Sequence, residues 1–166
     1  MPDNNPLPWS GEFGQLDADD RRAVAELIRV GGAIIGTVGE IALRLDRTRR
    51  LALLRVPATG RIVGVAALKT PGRGYRADKF KKAGVAIAGF EHALELGYVV
   101  IAQDMQGRRL SGGLVQAIAA DLKQPTFATT DSNTMKHNLA RSGFTQFGGA
   151  WQGQKGMLSL WTFAPR

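Results

Sequence analysis

Apolar positions along this chain change their spacing several times, and each change marks an element. Val24, Leu27 and Ile28 recur at helical spacing behind Asp17, which suits an N-cap, and Gly31-Gly32 ends that helix. Ile41, Ala42 and Leu45 place a second helix, closing in the basic run Arg44, Arg47, Arg49, Arg50. Residues 50–56 and 61–69 are apolar runs of strand length joined by Pro57-Ala58-Thr59-Gly60, which is hairpin chemistry. Residues 75–85, basic at Arg76, Lys79, Lys81 and Lys82, predict a short helix with Ala77, Phe80 and Gly84 roughly on one face and the lysines elsewhere. Residues 95–103 are an apolar, β-branched strand, and Leu110, Leu114, Val115, Ile118 and Leu122 return to helical spacing. Pro125 stops that helix and Thr126 to Thr130 forms a strand. Asp131 or Ser132 caps a further helix, which turns Met135 and Leu139 inward and stops at Gly143. Residues 145–151 and 157–163 read as a terminal hairpin. Residues 1–15, rich in Pro, Asn and Gly, read as an irregular arm pinned by Trp9 and Phe13, and residues 16–166 as a single domain. Strands interrupted by helices, with antiparallel hairpins at both ends, predict a mixed sheet in an α/β or α+β domain.

Composition narrows the chemistry. The chain has 166 residues, enough for one domain with a core, and no run of eighteen apolar residues to span a membrane. No basic segment followed by an apolar one opens it, so a secretory signal is not expected, and the cytoplasm is the expected location. With no cysteine there is no disulfide, thiolate ligand or Cys nucleophile. The 2 His lack HExxH spacing, so no metal site is expected, and Gly-x-Ser-x-Gly is missing. The net charge of +8 favours anionic partners, nucleic acid among them, although a solvated basic surface accounts for it equally.

The stretch from Glu95 to Ala120 changes the picture most. It runs strand, Gly/Arg loop, helix, and this order aims free backbone N–H groups and the positive end of a helix dipole at one point. That is a place for a phosphate-bearing ligand, and Arg108 and Arg109 add pairing charge. The loop is neither a Walker loop nor a dinucleotide fingerprint. Gly112 and Gly113 equally suit close packing with no ligand.

The residues Gln106-Gly107-Arg108-Arg109-Leu110-Ser111 resemble the Gln/Arg-x-x-Gly-x-Gly/Ala signature of the GNAT superfamily of N-acetyltransferases. Gln106 fits; Arg109 stands where the central Gly is expected and Ser111 where Gly or Ala is expected. Gly112 and Gly113 follow at once. Residues 50–56 and 61–69 resemble the family's central hairpin, residues 126–130 its fifth strand, and residues 133–144, ending in Gly143-Phe144, its following helix. About two-thirds of the chain is covered by this resemblance.

The resemblance implies a mostly antiparallel sheet flanked by helices, with a parallel strand pair at the site of acyl-CoA, and transfer of an acyl group, acetyl above all, to an amine. It implies that acetyl-CoA or another acyl-CoA, as co-substrate, meets Val100, Ile101, Ala102, the loop residues Gln106, Gly107, Arg108, Arg109, Leu110, Ser111, Gly112 and Gly113, and Asn133. Glu95, eleven residues before Gln106, resembles the glutamate base of histone-type members; Glu91 and His92 are the alternatives, and a strand-edge salt bridge is the structural reading of the same residue. Many relatives place an acid tyrosine four residues before the Gly-Phe pair, where this chain has Leu139, so His137 is the candidate donor on that helix. Asp104 is expected to order the turn. The acceptor stays open between a small molecule, a protein and a nucleic-acid-linked amine, and a homodimer is compatible. The competing class is a nucleic-acid-binding module on the same fold with degenerate catalysis, using Arg76, Lys79, Lys81 and Lys82.

Overall fold

A computed structural model of the chain describes residues 4–166, so residues 1–3 of the arm lie outside the described residues. In chain order the elements are β1 (Leu7–Gly11), α1 (Ala18–Gly31), α2 (Val38–Leu45), β2 (Thr48–Arg55), β3 (Ile62–Lys69), α3 (Arg73–Lys82) and β4 (Leu94–Ile101). They continue with α4 (Ser111–Ala119), β5 (Thr126–Thr130), α5 (Asn133–Arg141), β6 (Thr145–Gln146), β7 (Trp151–Gln152) and β8 (Met157–Phe163). The sheet runs β1-β2-β3-β4-β5-β8-β6, and β7 pairs with β8. All these pairs are antiparallel except β4 with β5.

Period-two alternation divides the core between the two faces of the sheet. In β2, Leu51 and Leu53 join Val24, Ala25, Ile28, Ile41 and Leu45 under α1 and α2. Ala52 and Leu54 point the other way, to Leu114, Val115 and Ile118 of α4. A third cluster, with Phe80 and Phe127 in edge contact at 5.7 Å, holds α3 against the far half of the sheet. Asp17 caps α1 by accepting from the Asp20 amide, and Thr37 with Glu40 forms a capping box on α2. Gly143, at φ 94°, closes α5 in a Schellman turn in which the Phe144 amide donates to the Leu139 carbonyl at 3.0 Å.

Residues 145–151 form two short strands, β6 and β7, and not one. The arm is not irregular throughout: β1 pairs with β2 from Leu7–Arg55 to Gly11–Leu51, because alternate residues there can cover the sheet edge while Phe13 enters the core. On α3 the inward face is Arg76 and Phe80, and Ala77 is exposed. Arg76 therefore does not belong to a polyanion-binding patch. It is 6% exposed, and its guanidinium donates to the carbonyls of Ala93 at 2.9 Å, Glu91 at 2.7 Å and Pro71 at 3.3 Å, tying the loop before β4 to α3.

Candidate functional site

The sheet opens where its one parallel pair parts. β4 and β5 are joined only at Leu94–Thr126 and Glu95–Phe127, and from Leu96 onward β4 has no partner on that side. A bulge on the opposite edge sharpens the departure. Val65 faces Val100 and Ala67 faces Gly97, so Tyr98 and Val99 share one place opposite Ala66, and Tyr98 takes a φ of 51°. The resulting cleft, about 460 Å³, is lined by Gly97, Tyr98 and Val99 of β4, Thr129 and Thr130 of β5, Ser111 of α4 and Asn138 of α5. Backbone N–H and C=O groups on this edge of β4 lack ladder partners and can hydrogen-bond a ligand laid between the strands.

The N-terminus of α4 stands at the α4/α5 side of the cleft. Its cap residue, Leu110, offers no side-chain acceptor and the first turn holds no acid, so first-turn N–H groups keep their capacity for an anion. Arg108 and Arg109 are exposed beside it and form no ion pair among the described residues. Arg109, at φ 59°, adopts the left-handed conformation that glycine takes freely. The two following glycines differ. A Cβ on Gly112 would stand 3.1 Å from Asn138 Oδ1, whereas one on Gly113 would meet open space. Gly112 thus serves helix packing, and Gly113 leaves the helix end bare. Asn138, buried, donates from Nδ2 to Ser111 Oγ at 2.9 Å, which leaves the Ser111 hydroxyl hydrogen free to donate. Asp104 orders the loop: Arg61 binds both its oxygens at 2.7 Å and, as the main cause, holds its carboxyl below the usual carboxylate range.

The opposite face of the sheet carries a cavity of about 470 Å³. Glu95 lines it and is 3% exposed. The register sets Glu95 directly across from Lys69 on β3, and Lys69 Nζ pairs with Glu95 Oε1. Glu95 Oε2 is buried with no hydrogen-bond partner. Lys69 Nζ also lies 4.1 Å from the centre of the Tyr98 ring. The half-exposed Tyr75 lines the same cavity, and its phenol is pushed well above its ordinary range, by burial first and then by the Glu95 charge. Arg44 and Arg47 complete the charged wall. Tyr98 and Ala33 line both cleft and cavity, so the two meet through the gap in the sheet.

The structure brings Glu95, Ser111 and the α4 end to one site but leaves other predicted residues outside it. His137 is exposed on α5 and does not line the cleft; its neighbour Asn138 does. Asn133 is exposed at the start of α5, where Ser132 caps the helix and, with Thr134, lines the cleft instead. Glu91 and His92 are exposed in the loop before β4 and line neither space. Gln106 is exposed and donates to the Ile101 carbonyl at 3.2 Å. Lys69, Tyr98, Arg44, Arg47 and Asn138 line these spaces without a motif in the sequence that marks them. Only the β3–β4 register brings Lys69 to Glu95, although a lysine ending an apolar strand is a visible signal. Among the described residues no group of three or more His, Asp or Glu could hold a metal ion, and no helix is long and apolar enough to cross a membrane.

No protein-family model and no curated protein matches this sequence. Solved structures do match in shape. An acetyltransferase of the GNAT family from Streptococcus agalactiae superposes with a TM-score of 0.68 at 12% identity, over 96% of each chain. A protein from Corynebacterium glutamicum described as histone acetyltransferase HPA2 and related acetyltransferase gives 0.66 at 15% identity, over 98% of each chain. An acyl-CoA N-acyltransferase from Pseudomonas aeruginosa gives 0.61 at 14% identity, over 96% of this chain and 99% of the other. The fold, including the single parallel strand pair, is that of the GNAT acetyltransferases.

Proposed function

We propose that this chain, which has the GNAT fold, is an N-acyltransferase that moves an acyl group, acetyl in the first instance, from acyl-CoA to an amine. The observation that carries the reading is the gap between β4 and β5, open to the bare N-terminus of α4 on one face and to buried Glu95 on the other. The residues present suit an acyl-CoA. The first-turn amides of α4, Arg108 and Arg109 suit its phosphates, and Gly113 leaves them room to approach. Unpaired backbone groups of β4 suit its peptide-like arm. When bound, acyl-CoA supplies an activated thioester.

The protein's own part is positioning and proton transfer. Glu95 takes the acceptor's proton, directly or through one water, and its unpartnered Oε2 is the atom available for that bond. Lys69 holds the other oxygen, fixing the carboxylate's orientation. The bulge at Tyr98 and Val99 turns backbone out of the ladder beside the cleft, a source of N–H donors for charge developing on a carbonyl oxygen. Leu139 is core and His137 lies outside the cleft, so α5 offers no acid there; Tyr98, lining both spaces, offers its hydroxyl.

Calorimetric titration with acetyl-CoA tests this reading. Saturable binding that Gly113→Val weakens by tenfold or more supports it. No binding, or equal binding by a folded Gly113→Val variant, overturns the placement.

A further inference from the structure

Resting on the acyltransferase reading, we infer that the acceptor is a small amine that also carries an oxyanion, a carboxylate or a phosphate, and that Arg44 and Arg47 recognise it. The cavity beside Glu95, about 470 Å³, is of small-molecule size. Its charged lining is Arg44, Arg47, Lys69 and Glu95. Lys69 and Glu95 neutralise one another as a cross-strand pair. Arg44 and Arg47 form no ion pair among the described residues, so the wall keeps two uncompensated guanidinium groups. Arg44 sits in the last turn of α2, and Arg47 lies in the turn joining α2 to β2.

The same imbalance extends outward. The adjoining space toward α3 and the β7–β8 turn, about 910 Å³, shares Arg44 and adds Lys79, Lys82 and Lys155; Asp78 pairs with Lys82 and Lys79 and Asp131 is the one lining carboxylate, so positive charge still exceeds negative. A positively charged amine without a compensating group is repelled by this field. An amine that brings its own oxyanion is drawn in, since guanidinium groups bind carboxylate and phosphate with matched geometry. The positive wall also favours the neutral form of the amine, the form that attacks. Glu95 then faces the nitrogen while the arginines hold the oxyanion, so the cavity has a polarity that matches a bifunctional molecule. These cations are distinct from those proposed for the phosphates at α4, because Arg108 and Arg109 do not line this cavity. Polycationic amines are poor acceptors on this argument.

The test uses the full chain with acetyl-CoA and reads release of the CoA thiol, to which a protein without cysteine adds no background. The probes are matched primary amines: amino carboxylates, amino phosphates, their uncharged amide or alcohol counterparts, and a polyamine. The carboxylate and phosphate arms separate the two oxyanions. The expected result is kcat/KM at least tenfold higher for the anionic members. Arg44→Ala and Arg47→Ala should each raise KM for them by about tenfold, the scale of a lost charge-assisted hydrogen bond, with acetyl-CoA affinity unchanged by calorimetry. Preference for the neutral amines or the polyamine overturns the inference, as does an unchanged KM in both variants. If no probe turns over, calorimetry with the acetyl-CoA-loaded protein decides: binding of an anionic amine that Arg44→Ala abolishes supports the assignment, and no binding overturns it. Failure of acetyl-CoA itself to bind would count against the acyltransferase reading instead.

Discussion

Gly97 is the residue that lets Lys69 reach Glu95, and this makes a quantitative expectation. A Cβ on Gly97 would lie 2.9 Å from Lys69 Cε, 3.1 Å from Lys69 Nζ and 3.5 Å from Glu95 Oε1. The obstacle is the end of a flexible side chain, so Gly97→Ala is expected to push Lys69 aside and leave the strand in place. Overpacking of this kind costs about 1–3 kcal/mol. Lys69→Ala removes the partner outright. The Glu95 side chain is only 4% exposed and Lys69 is its ion-pair partner, so the loss falls in the range of about 3–5 kcal/mol for breaking a buried pair. Independent sites would sum to about 4–8 kcal/mol. They are not independent, because truncating Lys69 empties the space the added methyl needs. The double variant should therefore match Lys69→Ala to within about 0.5 kcal/mol, which gives a coupling of about 1–3 kcal/mol between the two positions. Urea unfolding at pH 7 measures it. In the thiol-release assay all three variants should lose kcat with acetyl-CoA affinity retained, since Glu95 loses its orientation and the α4 site is untouched. Additive losses, or a Gly97→Ala variant as stable and active as the parent, would refute the account of how Glu95 is held.

Other outcomes follow from the same site. Glu95→Gln should leave acetyl-CoA affinity nearly unchanged and lower turnover by roughly 10²–10⁴-fold, a loss that shrinks at high pH as the acceptor amine neutralises; full activity would return the base to solvent. Arg109→Gly and Arg109→Ala remove the same charge, but only Ala keeps a Cβ in the left-handed conformation, so the Gly variant should melt about 1–5 °C higher, from a strain of about 1–2 kcal/mol less the extra flexibility of unfolded Gly. The chain has 2 Tyr, and in a Tyr98→Phe background absorbance titration should show Tyr75 still neutral at pH 10, with Glu95→Gln moving its ionisation to lower pH. Because the folded pKa of Tyr75 is raised, the stability it contributes is present below pH 10 and lost as pH rises beyond it. Polyanion binding should be weak, because Arg76 is buried in backbone contacts and Lys82 pairs with Asp78 at 3.0 Å; Lys81→Gln with Lys82→Gln should abolish any salt-sensitive binding to duplex DNA.

Much of the fold was legible along the chain. The helical spacing of Leu114, Val115 and Ile118, the hairpin signal around Pro57 and Gly60, and the Gly143 stop are local properties, set by backbone sterics and by which face is apolar. The strand, turn and helix of residues 94–119 were legible for the same reason, since they are contiguous. Ambiguity began where a short segment had two inward faces open to it. Residues 75–85 read as a helix with Ala77 inside, whereas the carbonyls of Pro71, Glu91 and Ala93 turn Arg76 inward instead.

The sequence alone therefore determined most of the elements and their order, because each is set by neighbours in the chain; β1 and the break of residues 145–151 into β6 and β7 were not among them. The surroundings of Glu95 were decided only by the tertiary structure. Lys69 meets Glu95 through the register of two strands, Arg44 and Arg47 reach the cavity through the packing of α2, and Asn138 rather than His137 turns inward because α5 buries that face against α4. The gap between β4 and β5 is the clearest case. No residue encodes it; it appears because two strands pair for two residues and then part, leaving backbone groups that secondary structure would otherwise have satisfied.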